Sequence, residues 1–280
     1  MGKTTNEARA CRAITAISWG CGVQSTAMAV MSALGDLEPV DIVITADPGW
    51  ERKATYAARD FYTDWLQEHS VNVEILQTGN IRELGNGEHI SMPFWTASGG
   101  PLRRQCTGSF KIEPIKRHLR KLLGYDARKA PHPPRESIEM WLGISLDEFT
   151  RMSQNSVKFI VNRYPLIEKR ITRNDCIDYL EAHGLPVPVK SACIGCPYRA
   201  ASEWLEMRDG SPDEFADAVD FDNASRTLEQ LQRGGDTDDG VYVYSRAKPL
   251  DTANLEADAK RERKGKQLPL MICESGYCMT

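Results

Sequence analysis

The stretch ISWGCGVQSTAMAV, residues 17 to 30, constrains the fold more than any other part of the chain. Ile14, Ala16 and Ile17 end a short apolar run suited to a buried strand. Gly20 and Gly22 bracket a tight turn, and Ser25–Thr26 open an apolar stretch of helical character. RAITAISW therefore reads as a strand and STAMAVMSALG as a helix ending at Gly35. VDIVITA reads as a second strand, KATYAARDFYTDWLQEH as a helix and VNVEILQT as a third strand. Strands separated by helices predict right-handed βαβ units and an α/β fold with a doubly wound, mostly parallel sheet.

Further along, residues 80 to 110 are glycine-rich and irregular, the pattern of a binding loop or lid. A helix is expected from about Pro114 to Leu123, and SIEMWLGIS and SVKFIVNRYPLI read as two more strands. Thr172 and Asp175 form a capping-box pattern before a helix that reaches His183 and stops at Gly184. KSACIGCPYR reads as a loop, and helices are expected over about Ala200–Arg208 and Asp213–Gln232. The end, DAKRERKGKQLPLMICESGYCMT, is charged and offers little to pack. This pattern divides the chain into a nucleotide-binding domain, 1–199, and a small helical extension with a cysteine-bearing tail, 200–280.

Apolar content of 41% and charged content of 26% are those of a globular protein that stays in water. No run of about 18 apolar residues predicts a membrane span, and the N-terminal stretch lacks the apolar core of a secretory signal. The expectation is a cytoplasmic protein with no membrane partner. In that compartment eight cysteines are metal ligands, redox groups or buried small side chains rather than a disulfide scaffold. Cys11 and Cys176 suit the last role. Net charge is −4, yet residues 101 to 130 hold nine Lys or Arg against Glu113 and Asp126. Such a stretch either meets phosphates, a nucleic acid among them, or is a solvated helix face.

A glycine-rich turn between a first parallel strand and a helix points backbone N–H groups into a concavity that favours phosphate. GCGVQS matches neither of the two commonest phosphate motifs. It does resemble the PP-loop of ATP pyrophosphatases, Ser-Gly-Gly-x-Asp-Ser, with Gly20, Cys21, Gly22, Val23, Gln24 and Ser25 in those six places. Gln24 puts a neutral amide where that family has a carboxylate, which weakens any Mg²⁺ contact from that place.

Four more blocks follow in order. DPGWERKATY resembles the Asp-Thr-Gly segment of phosphoadenosine phosphosulfate (PAPS) reductases, and RRQCTGSFKIEPIKRHL their Arg-x-Cys-Cys-x-x-x-Lys-x-x-Pro-Leu segment. WLGISLDEFTRM is similar to their Gly-Ile-Arg stretch, and YPLIEKRITRNDCIDYLEAHGLP with SACIGCPYR to their C-terminal pattern. The chain thus resembles the PAPS reductase-like family of the PP-loop superfamily from Ser18 to Arg199. The resemblance implies a Rossmann-like PP-loop fold and binding of an adenine nucleotide, ATP with Mg²⁺. The nucleotide would lie along Ser18, Gly20, Cys21, Gly22, Val23, Gln24, Ser25, Thr26 and Gly143. Asp47, ending the second strand, is placed to hold a ribose hydroxyl or adenine amine, or else only forms the turn before Pro48–Gly49. Of the cations Arg103, Arg104, Lys111 and Arg151, the motif selects Lys111 and Arg151 as catalytic groups that neutralise phosphate.

Cys193 and Cys196 form a C-x-x-C, the spacing at which two thiolates hold one zinc or one face of an iron–sulfur cluster, or close into a redox disulfide. Where the iron–sulfur reductases carry a Cys-Cys pair, this chain has Gln105–Cys106. The resemblance implies a 4Fe-4S cluster on Cys106, Cys193 and Cys196 with one iron open to carry sulfur. Cys273 and Cys278 stand near the end, where sulfonucleotide reductases keep a nucleophilic cysteine, but without that motif's order or its histidine. Cys278 is the candidate relay thiol. Two enzymes are implied: an ATP pyrophosphatase that adenylates an acceptor for nucleic-acid thiolation, with a cysteine desulfurase as sulfur donor, or a reductase that releases sulfite. A third reading is a noncatalytic nucleotide-binding protein.

Overall fold

The described residues form seven strands: β1 (Ile14–Ser18), β2 (Ile42–Asp47), β3 (Val73–Gln77), β4 (Trp95–Thr96), β5 (Ile138–Leu142), β6 (Ile160–Arg163) and β7 (Val241–Tyr242). Five of them make one parallel sheet in the order β3-β2-β1-β5-β6, while β4 pairs antiparallel with β7. The structure is a computed structural model that describes residues 13–84, 92–97, 100–126, 131–226 and 240–263.

Alternation along the strands assigns each face. Ile17, Val43 and Trp141 point to one side, against α1 (Val23–Leu34), α2 (Lys53–Glu68) and α6 (Arg173–Ala182). Ala16, Ile42, Ile44, Met140 and Leu142 point to the other, against α4 (Glu113–Leu122). With both faces covered, the central strands are apolar throughout, and all six residues of β2 are buried. The sheet is doubly wound. Its strand order reverses between β1 and β5, and at such a switch point the carboxyl ends of the strands leave a crevice.

The expected helices are present with small changes of boundary. α1 begins at Val23 and is buried from Val23 to Ser32, as an apolar-all-round helix must be. The Thr172–Asp175 capping box forms at the start of α6. Two expectations need correction. SVKFIVNRYPLI is strand only over Ile160–Arg163, because Pro165 begins the short helix α5 (Pro165–Glu168), where its missing N–H costs nothing. The first residues of the charged end do pack: α9 (Leu255–Arg263) lies on α7 (Ala201–Gly210) and buries Asp258 and Ala259 along with Leu255, while residues 264–280 lie outside the described residues. The irregular stretch also contains α3 (Ile81–Leu84) and a π-helical turn, Gly108–Ile112. The expected helix from Asp213 is α8 (Pro212–Arg226), and its continuation to Gln232 lies outside the described residues.

A separate core joins α7, α8, α9 and β7 to Trp50, Ile81, Phe94, Phe110 and Ile194. Polar contacts reinforce it. Buried Glu214 on α8 accepts from Arg52 Nε at 3.0 Å and from the Lys53 backbone N–H at 2.6 Å, satisfying a donor in the first turn of α2. Asp217 accepts from Trp50 Nε1 and Arg82 Nε at 2.6 and 2.7 Å. Helix α8 therefore holds the loop after β2 in place. No helix among the described residues is long and apolar enough to cross a membrane.

Candidate functional site

Two adjoining cavities open at the carboxyl ends of the strands. The first, about 520 Å³, lies between the β1–α1 turn and the loop after β2, and includes Ser18, Gly20, Cys21, Asp47, Glu51 and Arg59. The second, about 630 Å³, includes Arg104, Cys106, Cys193, Cys196 and Arg199. Lys111 and Ser191 line both.

At the turn, Gly22 is the N-cap of α1 in extended conformation, and no side chain caps the helix. The first-turn N–H groups are thus left for another acceptor. Cys21 adopts a left-handed φ of 57°, uncommon for a non-glycine residue, and its Sγ stands 3.5 Å from Thr45 Oγ1. Burial pushes its thiol pKa up to about 12, against the lowering effect of that contact.

The later residues of the motif turn inward. Val23 joins the core, and Thr26 Oγ1 accepts from Trp19 Nε1 at 2.9 Å. Gln24 Oε1 accepts from Arg173 at 2.7 Å, and its amide reaches Ser145 Oγ at 3.5 Å. The Gln24 side chain does not line the first cavity, so its replacement of a carboxylate is matched by a new partner, Arg173. Gly143 has a packing role: a Cβ there would meet the Ser25 N and Cα at 2.7 Å. Since both are backbone atoms at the start of α1, Gly143→Ala is expected to lower stability by about 1–3 kcal/mol, the usual range for overpacking, read as a fall in thermal midpoint.

Asp47 lines the first cavity with both oxygens engaged. Oδ1 accepts from the Gly49 N–H at 2.8 Å and Tyr56 at 2.9 Å, and Oδ2 from Arg59 at 2.7 Å. The carboxylate both forms its turn and fixes Tyr56 and Arg59 on the cavity wall. Arg151 is paired with Glu148 at 2.7 Å and lines neither cavity.

Lys111 sits on the π-helical turn, a geometry that re-aims side chains and recurs at functional sites. Its Nζ donates to Oε1 of buried Glu51 at 2.8 Å, and Cys193 Sγ stands 3.9 Å from the same oxygen. Burial opposes the charge on Lys111, but Glu51 and the neighbouring Cys193 and Cys21 outweigh it and hold the ammonium above its ordinary range. Burial, with Glu51 adding to it, raises the Cys193 thiol well above the usual thiol range, while Lys111 acts the other way. The backbone couples the same parts: Ile194 N–H donates to Trp50 O at 3.0 Å. Gly195 permits this approach, since a Cβ there would lie 2.4 Å from the Trp50 ring.

Cys106, Cys193 and Cys196 thus face one cavity and influence one another electrostatically. Among the described residues, no three His, Cys, Asp or Glu side chains are gathered closely enough to hold a single metal ion. A 4Fe-4S cluster makes a different demand, because its thiolates bind separate irons. Three thiols facing one cavity fit that demand. The residue beside Cys106 that faces the cavity is Thr107, which is buried, whereas Gln105 is exposed. Cys273 and Cys278 lie outside the described residues.

Pattern reading missed Glu51, Thr55, Tyr56, Arg59, Ser191 and Arg199. Position at the carboxyl end of β2 was the one available signal for the first four. Buried atoms without partners mark the same region: Glu51 Oε2, Thr55 Oγ1, Arg104 Nε and Arg199 Nε have none among the described residues. Each of these residues lines one cavity or the other. Because a buried polar atom left unpaired costs about 1–3 kcal/mol, their concentration here points to an occupant.

The sheet and its crevice define a doubly wound α/β protein, with a mostly parallel sheet flanked by helices. No family model and no curated protein matches the sequence. Among solved structures, the chain is similar to the phosphoadenylyl-sulfate (PAPS) reductase from Candida auris in its phosphate complex. Identity is 13%, coverage is 62% of this chain and 74% of that one, and the TM-score is 0.39. It is also similar to the U34-tRNA thiolase NcsA from Methanococcus maripaludis with its 4Fe-4S cluster. Identity there is 15%, coverage 76% of this chain and 71% of that one, and the TM-score 0.39.

Proposed function

We propose that the chain is a PP-loop ATP pyrophosphatase-type enzyme that adenylates an acceptor for sulfur transfer, the acceptor being a nucleic acid. The observation that carries this reading is the wall shared by the two cavities, where Lys111 and Ser191 face both the β1–α1 turn and the three cysteines. Adenylation falls on an acceptor oxygen and sulfur then bonds to the atom that carried it, so the two steps need neighbouring sites, and adjoining cavities satisfy that need.

ATP binds in the first cavity with its phosphates over Gly20–Gly22, where uncapped N–H groups and the helix terminus receive them. An acceptor oxygen attacks the α-phosphorus, and pyrophosphate leaves. Lys111 neutralises the charge that grows on the phosphoryl oxygens, and Glu51 holds its ammonium in place. Arg59, fixed by Asp47, adds a second cation on the same wall. Mg²⁺ would find Glu51 Oε2, a carboxylate oxygen of this cavity with no partner among the described residues. Sulfur then displaces AMP from the activated acceptor. A 4Fe-4S cluster held by Cys106, Cys193 and Cys196 would supply an open iron to carry that sulfur. The basic stretch 101–130 meets the acceptor's phosphates, and a cysteine desulfurase provides the sulfur.

The test is incubation of the anaerobically purified protein with γ-labelled ATP and a nucleic-acid acceptor. Release of pyrophosphate is expected, with loss of at least about a hundredfold in rate for Lys111→Ala, the cost of removing one preorganised charge-stabilising group. Sulfite release from adenosine phosphosulfate without any pyrophosphate would overturn the reading in favour of a reductase.

A further inference from the structure

The second cavity carries more positive charge than its own carboxylates offset. Lys111 is paired with Glu51 and Lys190 with Glu203. Arg104 and Arg199 have no carboxylate within ion-pair reach among the described residues, and the Nε–H of each is buried without a partner. Arg199 is 5% exposed. Its Nη2 donates to the Cys193 carbonyl at 2.9 Å, and its guanidinium stacks on Trp204. Arg104 stacks on Tyr198. Stacking and the carbonyl contact set the planes of the two groups without neutralising either.

We infer that Arg104 and Arg199 form an oxyanion site inside the cysteine cavity, separate from the nucleotide site, that takes a small sulfur oxyanion of the thiosulfate class. Guanidinium forks match the paired oxygens of a tetrahedral oxyanion, where an ammonium offers only a point charge. The depth of Arg199 selects a small free anion over a polymer backbone. The neighbouring thiols Cys106, Cys193 and Cys196 select one that brings sulfur. In the function proposed above thiosulfate would stand in for the desulfurase as donor, its sulfane sulfur passing to one of these thiolates to leave a cysteine persulfide and release sulfite; the site itself can be tested without ATP.

The experiment is anaerobic titration calorimetry of the full chain with sodium thiosulfate, and in parallel with inorganic phosphate. Thiosulfate is expected to bind, and to bind equally well when ATP is already present. Arg199→Gln and Arg104→Gln should each weaken it tenfold or more. Arg104 is only half-buried, so its variant remains informative if Arg199→Gln fails to fold. Absence of thiosulfate binding, unchanged affinity in Arg104→Gln, or full competition with ATP would each overturn the site. Phosphate binding as tightly as thiosulfate would overturn the sulfur assignment. Thiosulfate binding by a protein that releases no pyrophosphate would instead count against the proposed function alone.

Discussion

Anaerobically purified protein is expected to be brown, with broad thiolate-to-iron absorption in the visible, and each of Cys106→Ala, Cys193→Ala and Cys196→Ala is expected to be colourless. The expectation follows from three thiols on one cavity. Removing one thiolate of three leaves an iron without its protein ligand, and no other cysteine among the described residues lines that cavity. Cys176→Ala is the control. Its thiol is fully buried in the core beneath α6, remote from the cavity lining. That variant should keep its colour and lose only about 1 kcal/mol of stability. Iron and sulfide quantitation beside the visible spectrum decides the matter. Colourless wild-type protein with one zinc per chain would contradict the cluster, as would colour retained in all three variants.

Gly22→Val is expected to abolish nucleotide binding in a protein that still folds. Gly22 has a φ of −97° and a ψ of 173°, which any residue adopts, and a Cβ there meets no atom within 4 Å. The fold therefore tolerates the side chain. It would stand at the N-cap of α1, beside the uncapped N–H groups that the phosphates are proposed to meet. A loss of about a hundredfold or more in ATP affinity, some 2.7 kcal/mol, is the expected calorimetric result. Thermal unfolding close to that of wild type checks the fold. Unchanged affinity in a folded variant would remove the turn from the site.

These two residue sets differ in how far the sequence alone reveals them. The turn after β1 is a local feature: an apolar run, two glycines and a helix follow one another within twenty residues, and backbone preference makes that order legible. The C-x-x-C is legible for the same reason. So is the parallel sheet, because alternating strand and helix patterns leave few ways to bury both faces of β1 and β2.

What those pieces hold was decided by the tertiary structure. Glu51 meets Lys111 across 60 positions of chain and Cys193 across 142. No local pattern encodes a partner at such a distance. Gln24 reads as a weakened metal contact until Arg173, on α6, is seen to take its oxygen. Which neighbour of Cys106 faces the cavity, buried Thr107 rather than exposed Gln105, is likewise invisible in the sequence. The start of the charged end, residues 258–263, reads as having little to pack until α7 covers Asp258 and Ala259 on α9. In each case periodicity and propensity determined which element forms, since those forces act over a few residues. Which charges are paired and which are left facing a cavity depended on packing between elements far apart in the chain, where burial makes an unpaired group costly and so gives it meaning.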